Sequence, residues 1–346
     1  MNRTIFVLGD SVPAPRTDEE APMAGWGQKI EGLLTGPVDV ANYARSAMTT
    51  RKYFTERFPA MLNRMKRGDI VLIGFGGVDH MISNGMRYVP VPEYQELLRL
   101  FARYIHAEGG VPVLVTPCAR YAFAPTGEVV NTRGEYPRAM LEVAAELGAP
   151  VIDLTGRTME LWAQIGPTRL RQYFAWVDAG EHPLHPDGQI DSSHLNHEGA
   201  AQVARVVVSG LCELGILDQA DVDVTALMTP PVLPPVSTEF TIQSPEAALH
   251  YAQPVGEPAL PVGRAGGVMS APPRPPRSGT SPSTMTMAWS TVRSQTGEVS
   301  GVRGGVSSAG ACSAVSAAMG DRPPGCSSER GAPARSCRGM LRSRGV

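Results

Sequence analysis

Short apolar segments alternate with amphipathic ones through residues 1–229, and this alternation constrains the fold more than any other feature of the chain. The apolar segments are Thr4–Leu8, Val38–Asn42, Ile70–Phe75, Val111–Thr116 and Val151–Leu154. Several of them are rich in β-branched residues, and most are nearly continuous in apolar character. That pattern is typical of strands buried on both faces of a parallel sheet.

Amphipathic segments with helical spacing lie between and after these strands. One begins near Pro92 and stops at Gly109-Gly110, where glycine ends the helical pattern. The apolar positions of three such helices are Leu97, Leu98, Phe101, Tyr104 and Ile105; Tyr136, Met140, Val143, Ala144 and Leu147; and Ala200, Val203, Ala204, Val207 and Leu211. This order of strands and helices predicts an α/β fold, a three-layer α/β/α sandwich with right-handed crossovers.

The composition changes near residue 230. Residues 230–346 are rich in Pro, Gly and Ser and contain eleven arginines and no lysine. Such a segment buries too little apolar surface to offset the entropy of ordering. We expect a folded domain over residues 1–229 and a disordered, basic tail over residues 230–346, which is a linker or a read-through of no defined function.

Charge and hydropathy exclude several classes of protein. The formal net charge is −2, and no apolar run approaches 18 residues, so we expect neither a nucleic-acid partner nor a membrane span. The N-terminus enters a strand without a signal-peptide pattern, which predicts a cytoplasmic protein unless a leader has been trimmed. Five widely spaced cysteines predict no disulfide framework and no zinc site, with Cys118 and Cys212 in or near the core.

Polar clusters follow the strands, at the edge where open parallel sheets bind ligands. Gly9-Asp10-Ser11 comes directly after the first strand. A serine in a strand-to-helix turn presents its own N–H to a developing oxyanion, but its hydroxyl needs a base to become a nucleophile. Taken alone, Ser11 is better explained as a turn or helix-capping residue.

A candidate base lies before the last long helix, in Asp191-x-x-His194. An aspartate at this spacing fixes the tautomer of the imidazole and leaves the other ring nitrogen free to accept a proton. The alternative is a capping Asp with a surface His. We expect His197 to be exposed, and we assign His182 and His185 no role, although with Asp187 they form a loose candidate metal cluster.

The ordered blocks resemble one known family. They are Gly9-Asp10-Ser11, Gly25-Trp26-Gly27, Asn42-x-Ala44, Phe75-Gly76-x-x-Asp79, Thr116-Pro117-x-x-Arg120 and Asp191-x-x-His194-Leu195-Asn196-x-x-Gly199-Ala200. Together they resemble the SGNH, or GDSL, hydrolase superfamily, and within it the rhamnogalacturonan acetylesterase-like branch, over residues 4–212.

The resemblance implies a fold and a chemistry. The fold would be a flavodoxin-like sandwich with a short parallel sheet. The chemistry would be ester hydrolysis without metal or cofactor, through a triad of Ser11, Asp191 and His194. The branch implies acetyl esters of pectic or similar carbohydrate, polymeric or small, as substrate, and leaves the oligomeric state open.

Two positions depart from the family pattern in the cradle for the oxyanion. Ala47 stands where the family has glycine, whose backbone N–H faces the oxyanion, and alanine supplies that N–H only if its backbone angles allow. Val78 stands where the family has asparagine, whose side-chain amide is a donor. Loss of one such donor costs about 10²–10³ in rate. We considered Asn84 or a water as a replacement donor for Val78.

Three readings of function therefore stay open at this point. The first is a carbohydrate O-acetylesterase with Ser11 and Ala47 as oxyanion donors. The second is a lipase-like or arylesterase-type member of the superfamily, and the third is a degenerate relative that binds acylated sugars without turnover. We expect Trp26 to be structural, and Arg120 to meet either a sugar carboxylate or a buried partner of opposite charge.

Overall fold

The computed structural model describes residues 2–230. Five strands are present: β1 (Arg3–Gly9), β2 (Val38–Asn42), β3 (Ile70–Gly74), β4 (Val111–Val115) and β5 (Val151–Ile152). They form one sheet in the order β2-β1-β3-β4-β5, and every neighbouring pair is parallel. The predicted parallel sheet is therefore confirmed, and the predicted disorder from residue 231 onward lies outside the described residues.

Eight α-helices accompany the sheet within residues 2–230. They are α1 (Thr50–Glu56), α2 (Phe58–Leu62), α3 (Val91–Ala107), α4 (Tyr136–Leu147), α5 (Leu154–Ile165), α6 (Pro167–Leu170), α7 (His197–Glu213) and α8 (Val224–Met228). Short 3₁₀ turns cover Asp18–Glu20, Trp26–Lys29, Glu31–Leu33 and Arg171–Tyr173. The block Gly25-Trp26-Gly27 thus opens a single 3₁₀ turn rather than a longer helix.

The two faces of the sheet carry separate apolar cores. Successive strand residues point to opposite faces, so Ile5 and Val7 pack on the side of α5 and α7, whereas Phe6 and Leu8 pack on the side of α1 to α4. This arrangement confirms the three-layer sandwich. The helical stripe predicted on α3 is buried at Leu98, Phe101 and Ile105, but Tyr104 is exposed, because it lies at the rim of that face and meets Phe54 and Phe58 only through ring contacts.

The parallel register places the carboxyl ends of the strands at one edge. Val7 is paired with Asn42, and Gly9 is paired with Gly74. The loops that follow β1, β2 and β3 therefore begin side by side, which brings their polar residues together.

Candidate active site

Ser11, His194 and Asp191 form a continuous hydrogen-bonded line at this edge. His194 Nε2 lies 2.9 Å from Ser11 Oγ, and His194 Nδ1 lies 2.7 Å from Asp191 Oδ2. The carboxylate favours the proton on Nδ1, which leaves the Nε2 lone pair directed at the serine hydroxyl. The structure thus brings together the three residues predicted as a triad, and the arrangement permits His194 to act as a general base.

Asp191 is held by its own backbone as well as by the imidazole. Its Oδ1 accepts hydrogen bonds from the N–H groups of Ser193 and His194, at 2.8 and 2.9 Å. Partial burial raises the pKa of Asp191, but these bonds and the contact with His194 outweigh it and hold the pKa below its ordinary value. Asp191 is therefore charged at neutral pH and fixed in orientation.

The segment that carries His194 is anchored on both sides. The carbonyl of His194 accepts from Ala175 N–H, and the carbonyl of Leu195 accepts from Ala24 N–H, each at 2.8 Å. Asn196 then caps α7 by accepting from Gly199 N–H at 3.0 Å. His197, the first residue of α7, is exposed as expected.

Asp10 is buried, and its place in Gly9-Asp10-Ser11 predicts no role for its side chain. Its Oδ1 accepts from Val12 N–H at 3.1 Å, and its Oδ2 accepts from Gly77 N–H at 2.9 Å. Burial raises the pKa of this carboxyl, although the two backbone donors and the nearby Arg133 oppose the rise. Asp10 thereby joins the turn that carries Ser11 to the loop after β3.

Asn42 makes the corresponding link to the loop after β2. Its side-chain amide donates to Pro13 O at 2.8 Å, and its Oδ1 accepts from Ala44 N–H at 3.1 Å. The loop that contains Ala47 is consequently tied to the turn that contains Ser11. The Asn42-x-Ala44 block thus owes its place to loop geometry.

Ala47 adopts the conformation that glycine favours. Its φ is +60°, and within residues 2–230 it is the one non-glycine residue with positive φ. The N–H groups of Ser11 and Ala47 have no hydrogen-bond acceptor among the described residues, and both residues line the same cleft. Alanine at position 47 therefore has the left-handed backbone conformation that glycine would adopt there. The N–H groups of Ser11 and Ala47 are both available to an oxyanion.

Val78 lines the cleft with an apolar side chain. The residue is 5% exposed and stands beside Ser11, Ala47 and His194 in the cleft wall. Asn84, considered as a replacement donor, is exposed, accepts from Met86 N–H, and is not part of the cleft lining in the described chain. The amide that the family pattern places at Val78 is thus not supplied by Asn84.

The cleft itself is open and basic. Its volume is about 410 Å³, and its lining includes Arg16, Arg87, Arg120 and Arg133. The one carboxylate in that lining, Asp191, is engaged by His194. Sequence analysis had singled out Arg120 alone, because the other three arginines belong to no recognisable block.

Several remaining predictions have a structural outcome. Trp26 is almost fully buried beneath the strands, in agreement with a structural role, and Cys118 is buried while Cys212 is partly so.

His185 Nε2 lies 2.9 Å from Ala21 O. Among residues 2–230 no three His, Cys, Asp or Glu side chains are grouped to hold a metal, so the cluster of His182, His185 and Asp187 does not form. In the same range no helix is long and apolar enough to cross a bilayer.

Comparisons with known proteins agree with this geometry. The model of the GDSL-like Lipase/Acylhydrolase family matches residues 7–202. Rhamnogalacturonan acetylesterase RhgT of Bacillus subtilis (strain 168) is 38% identical over 213 residues, which are 61% of this chain and 90% of that protein. The probable rhamnogalacturonan acetylesterase YesY of the same organism is 27% identical over 218 residues, which are 62% of this chain and 95% of that protein.

A solved structure is also similar. The crystal structure of protein YXIM_BACsu from Bacillus subtilis aligns with a TM-score of 0.54 at 26% identity. The alignment covers 62% of this chain and 58% of that one, so the chain spans less than two thirds of that protein. The match to the family model, over residues 7–202, includes every residue that lines the cleft.

Proposed function

Since this chain belongs to the GDSL-like lipase/acylhydrolase family, in the branch of the rhamnogalacturonan acetylesterases, we propose that it removes acetyl groups from carbohydrate esters through Ser11, His194 and Asp191. The chain is a carboxylic ester hydrolase. The observation that carries the proposed mechanism is the 2.9 Å contact between His194 Nε2 and Ser11 Oγ.

The first half of the proposed reaction acylates the serine. Ser11 Oγ attacks the acetyl carbon while His194 Nε2 accepts the hydroxyl proton. The tetrahedral intermediate collapses with cleavage of the bond between the acetyl carbon and the sugar oxygen. His194 gives its proton to that oxygen, and the sugar leaves as an alcohol.

The second half releases acetate. Water attacks the acetyl carbon on Ser11 and gives a proton to His194, and the ester bond to Ser11 Oγ then breaks as the proton returns to the serine. Asp191 stabilises the imidazolium in both halves from a fixed position, because its second oxygen is held by two backbone N–H groups. In each half the oxyanion forms next to the N–H groups of Ser11 and Ala47.

The charge of the cleft supports a substrate that carries carboxylates. Four arginines line the cleft, and its single lining carboxylate is engaged by His194. Arg16 pairs with Glu20 and Arg133 interacts with buried Asp10, but the arginines still outnumber these carboxylates, so the net potential is positive. Arg87 is exposed and Arg120 is partly exposed, and guanidinium groups bind carboxylates through paired hydrogen bonds. We therefore propose an acetylated sugar polymer or oligosaccharide that contains uronic acid, as in pectin.

The other two readings have less support. A long acyl chain calls for an extended apolar groove, whereas the described cleft is lined by arginines. The interpretation as a protein that binds without turnover depends on Val78, which lacks the side-chain amide of the family pattern. The hydrogen-bonded line from Asp191 through His194 to Ser11 supports turnover instead.

Two assays on the full chain test the proposal. With p-nitrophenyl acetate we expect turnover, and with a serine-directed fluorophosphonate we expect one adduct on Ser11, mapped by mass spectrometry and absent from Ser11→Ala. Wild-type protein that neither turns over the ester nor takes up the phosphonate would contradict an active esterase.

The substrate class is tested separately, by acetate release from acetylated rhamnogalacturonan and from acetylated xylan, which is neutral. We expect a higher kcat/KM on the charged polymer, and a rise in KM for that polymer when Arg87→Gln removes a cleft charge. Arg99→Gln is the matched control, because Arg99 pairs with Glu146 on the α3–α4 surface. Equal rates on both polymers would contradict the uronic-acid assignment.

A further inference from the structure

Arg133 is a buried charge that the proposed mechanism leaves unused. The residue is 2% exposed and lies shortly before α4, yet it contributes to the wall of the cleft that holds Ser11. Within residues 2–230 no carboxylate stands within 4.0 Å of its guanidinium. Burial, together with nearby Arg120, lowers the pKa of Arg133 to about 9, so it is still a cation at neutral pH.

A buried cation destabilises the folded state unless the surrounding groups stabilise its charge. Burying a charge without a paired opposite charge is unfavourable, and Asp10 is near enough to interact with the charge of Arg133 but forms no ion pair with it. Hydrogen bonds to neutral acceptors offset part of this unfavourable free energy. Nη1 of Arg133 donates to Gly77 O at 3.0 Å, and its Nε and Nη2 both donate to Cys118 O at 3.4 Å. Departures of this kind concentrate at functional sites.

The contact with Gly77 O matters because of the peptide to which that oxygen belongs. The same planar unit ends in the N–H of Val78. Gly77 is thus fixed from both sides, since its own N–H donates to Asp10 Oδ2 and its carbonyl accepts from Arg133. The N–H of Val78 has no acceptor among the described residues, and Val78 lines the cleft beside Ser11 and Ala47.

We propose that Arg133 compensates for the missing side-chain amide at position 78, by holding and polarising the Gly77–Val78 peptide so that the Val78 N–H becomes the third oxyanion donor. A peptide whose carbonyl accepts a charged hydrogen bond is a stronger donor at its N–H end. The positive charge of the buried guanidinium behind that peptide adds to the potential at the developing oxyanion. Arg133 is in this sense a positioning residue, and the inference rests on the proposed esterase function.

Asp10 and Arg133 together account for the orientation of this loop. Gly77 is buried, and a Cβ added to it would lie 2.5 Å from Asp10 Oδ2, so the backbone approaches the carboxylate as closely as glycine permits. The carboxylate therefore holds the Gly76–Gly77 peptide and the guanidinium holds the Gly77–Val78 peptide, so the two units on either side of the Gly77 Cα are both fixed. A valine side chain at position 78 is compatible with this role because its donor is the backbone.

A double-mutant cycle on the full chain tests the inference, with wild type, Arg133→Met, Val78→Asn and the double variant assayed on p-nitrophenyl acetate. Methionine keeps the length of the stem and removes charge and donors. We expect Arg133→Met to lower kcat by about 10–100-fold with a change in KM below about threefold. Val78→Asn restores an amide, so it is expected to raise kcat at least about tenfold more in the Arg133→Met background than in wild type.

Two further measurements separate positioning from folding. The rate of phosphonate labelling at Ser11 follows kcat if the oxyanion cradle is weakened, because the phosphonyl oxygen occupies the same place. Arg133→Lys, with and without Val78→Asn, repeats the cycle with a conservative change in case the methionine variant fails to fold.

The outcomes are distinguishable. Unchanged kcat in Arg133→Met, or a loss that Val78→Asn does not rescue while wild type stays active, overturns the role of Arg133 and leaves the esterase function standing. A wild-type protein without turnover and without a phosphonate adduct overturns the proposed function and this inference with it.

Discussion

His194 Nε2 lies 2.9 Å from Ser11 Oγ, although the two residues are 183 positions apart in the chain. Ser11 follows the first strand, and His194 precedes the last long helix. The parallel sheet brings the turn after β1 to the edge where the segment before α7 crosses it. The contact makes the turn serine of Gly9-Asp10-Ser11 a candidate nucleophile.

The tautomer of the His194 ring depends on the Asp191 side-chain atom that faces His194 Nδ1. In Asp191→Asn, Oδ1 still accepts from Ser193 and His194 N–H, which places the new amide nitrogen opposite His194 Nδ1. That amide donates to Nδ1 and drives the proton to Nε2, so the ring no longer accepts from Ser11. We expect kcat on p-nitrophenyl acetate to fall about 10³–10⁴-fold with unfolding behaviour preserved.

The control for this change is Asp187→Asn, which removes an exposed carboxylate in the preceding loop. It is expected to leave kcat at the wild-type value. A loss below about tenfold in Asp191→Asn would mean that the imidazole is oriented by something other than this carboxylate.

The backbone at Ala47 carries strain that glycine would remove. A φ of +60° costs a non-glycine residue about 1–2 kcal/mol. Glycine avoids this cost, but its larger loss of conformational entropy on folding offsets part of the gain in stability. We expect Ala47→Gly to raise the free energy of unfolding by about 0.5–1 kcal/mol without lowering kcat, as measured by urea denaturation and ester hydrolysis.

Ala47→Val provides the opposite change at the same position. A β-branched side chain tolerates positive φ poorly, so we expect lower stability and lower kcat, because the loop must shift to relieve the strain. If valine were accepted without loss of either, the Ala47 N–H would not be held where an oxyanion donor has to be.

Asp79 links stability to pH. The carboxylate is fully buried and accepts from Thr50 N–H, Thr50 Oγ and Gly76 N–H. Burial raises the pKa of Asp79 from 3.8 to about 7, against the lowering effect of those donors and with a smaller rise from Asp10. Between these two values the folded chain binds a proton that the unfolded chain releases, so stability falls as pH rises, by at most about 1.4 kcal/mol per pH unit.

Asp79→Asn removes the titrating group and is expected to flatten this decline between pH 4 and pH 7. The variant starts from a lower stability, because its amide nitrogen faces Gly76 N–H in place of an acceptor. The measurement is the free energy of unfolding from urea titrations at four pH values. Parallel curves for the variant and wild type would show that Asp79 does not take up the proton.

Gly25 is required by the close approach of two backbones. A Cβ at this position would lie 1.9 Å from Ala14 O, in the turn that follows Ser11. Gly25→Ala therefore has to displace that turn, and we expect a loss of at least about 3 kcal/mol in stability together with reduced kcat.

Gly32→Ala is the matched comparison, since a Cβ there meets no atom within 4 Å. Its stability is expected to stay within about 0.5 kcal/mol of wild type. Equal effects of the two substitutions on thermal unfolding would rule out the steric explanation for Gly25.

The sheet and the predicted triad were accessible from the sequence for a physical reason. Buried parallel strands leave a pattern of apolar runs that is local in the chain, and glycines and polar residues mark their ends. The prediction of Ser11, Asp191 and His194 as a triad came from the resemblance to the family, because the short motifs around them are ambiguous when taken alone. The detail that failed was set at a boundary, since Tyr104 lies at the rim of α3 and is exposed.

Asp10 and Arg133 were not identified as site residues, because their roles depend on partners distant in sequence. Asp10 contacts a loop 67 positions away, and Arg133 contacts Gly77 across 56 positions. Arg133 belongs to no motif, and a lone arginine in a loop normally indicates a solvated side chain.

The sequence by itself determined the order of strands and helices, which leaves a local pattern, and the family, whose resemblance predicts Ser11, His194 and Asp191 as a triad. Only the tertiary structure decided that Ala47 adopts the angle of a glycine, that Val78 lines the cleft with an N–H that has no acceptor among residues 2–230, and that a buried guanidinium donates to the carbonyl of that peptide. These properties arise from backbone angles and from contacts between loops that meet only when the sheet has formed. They cannot be predicted from the pattern of residue types along the chain.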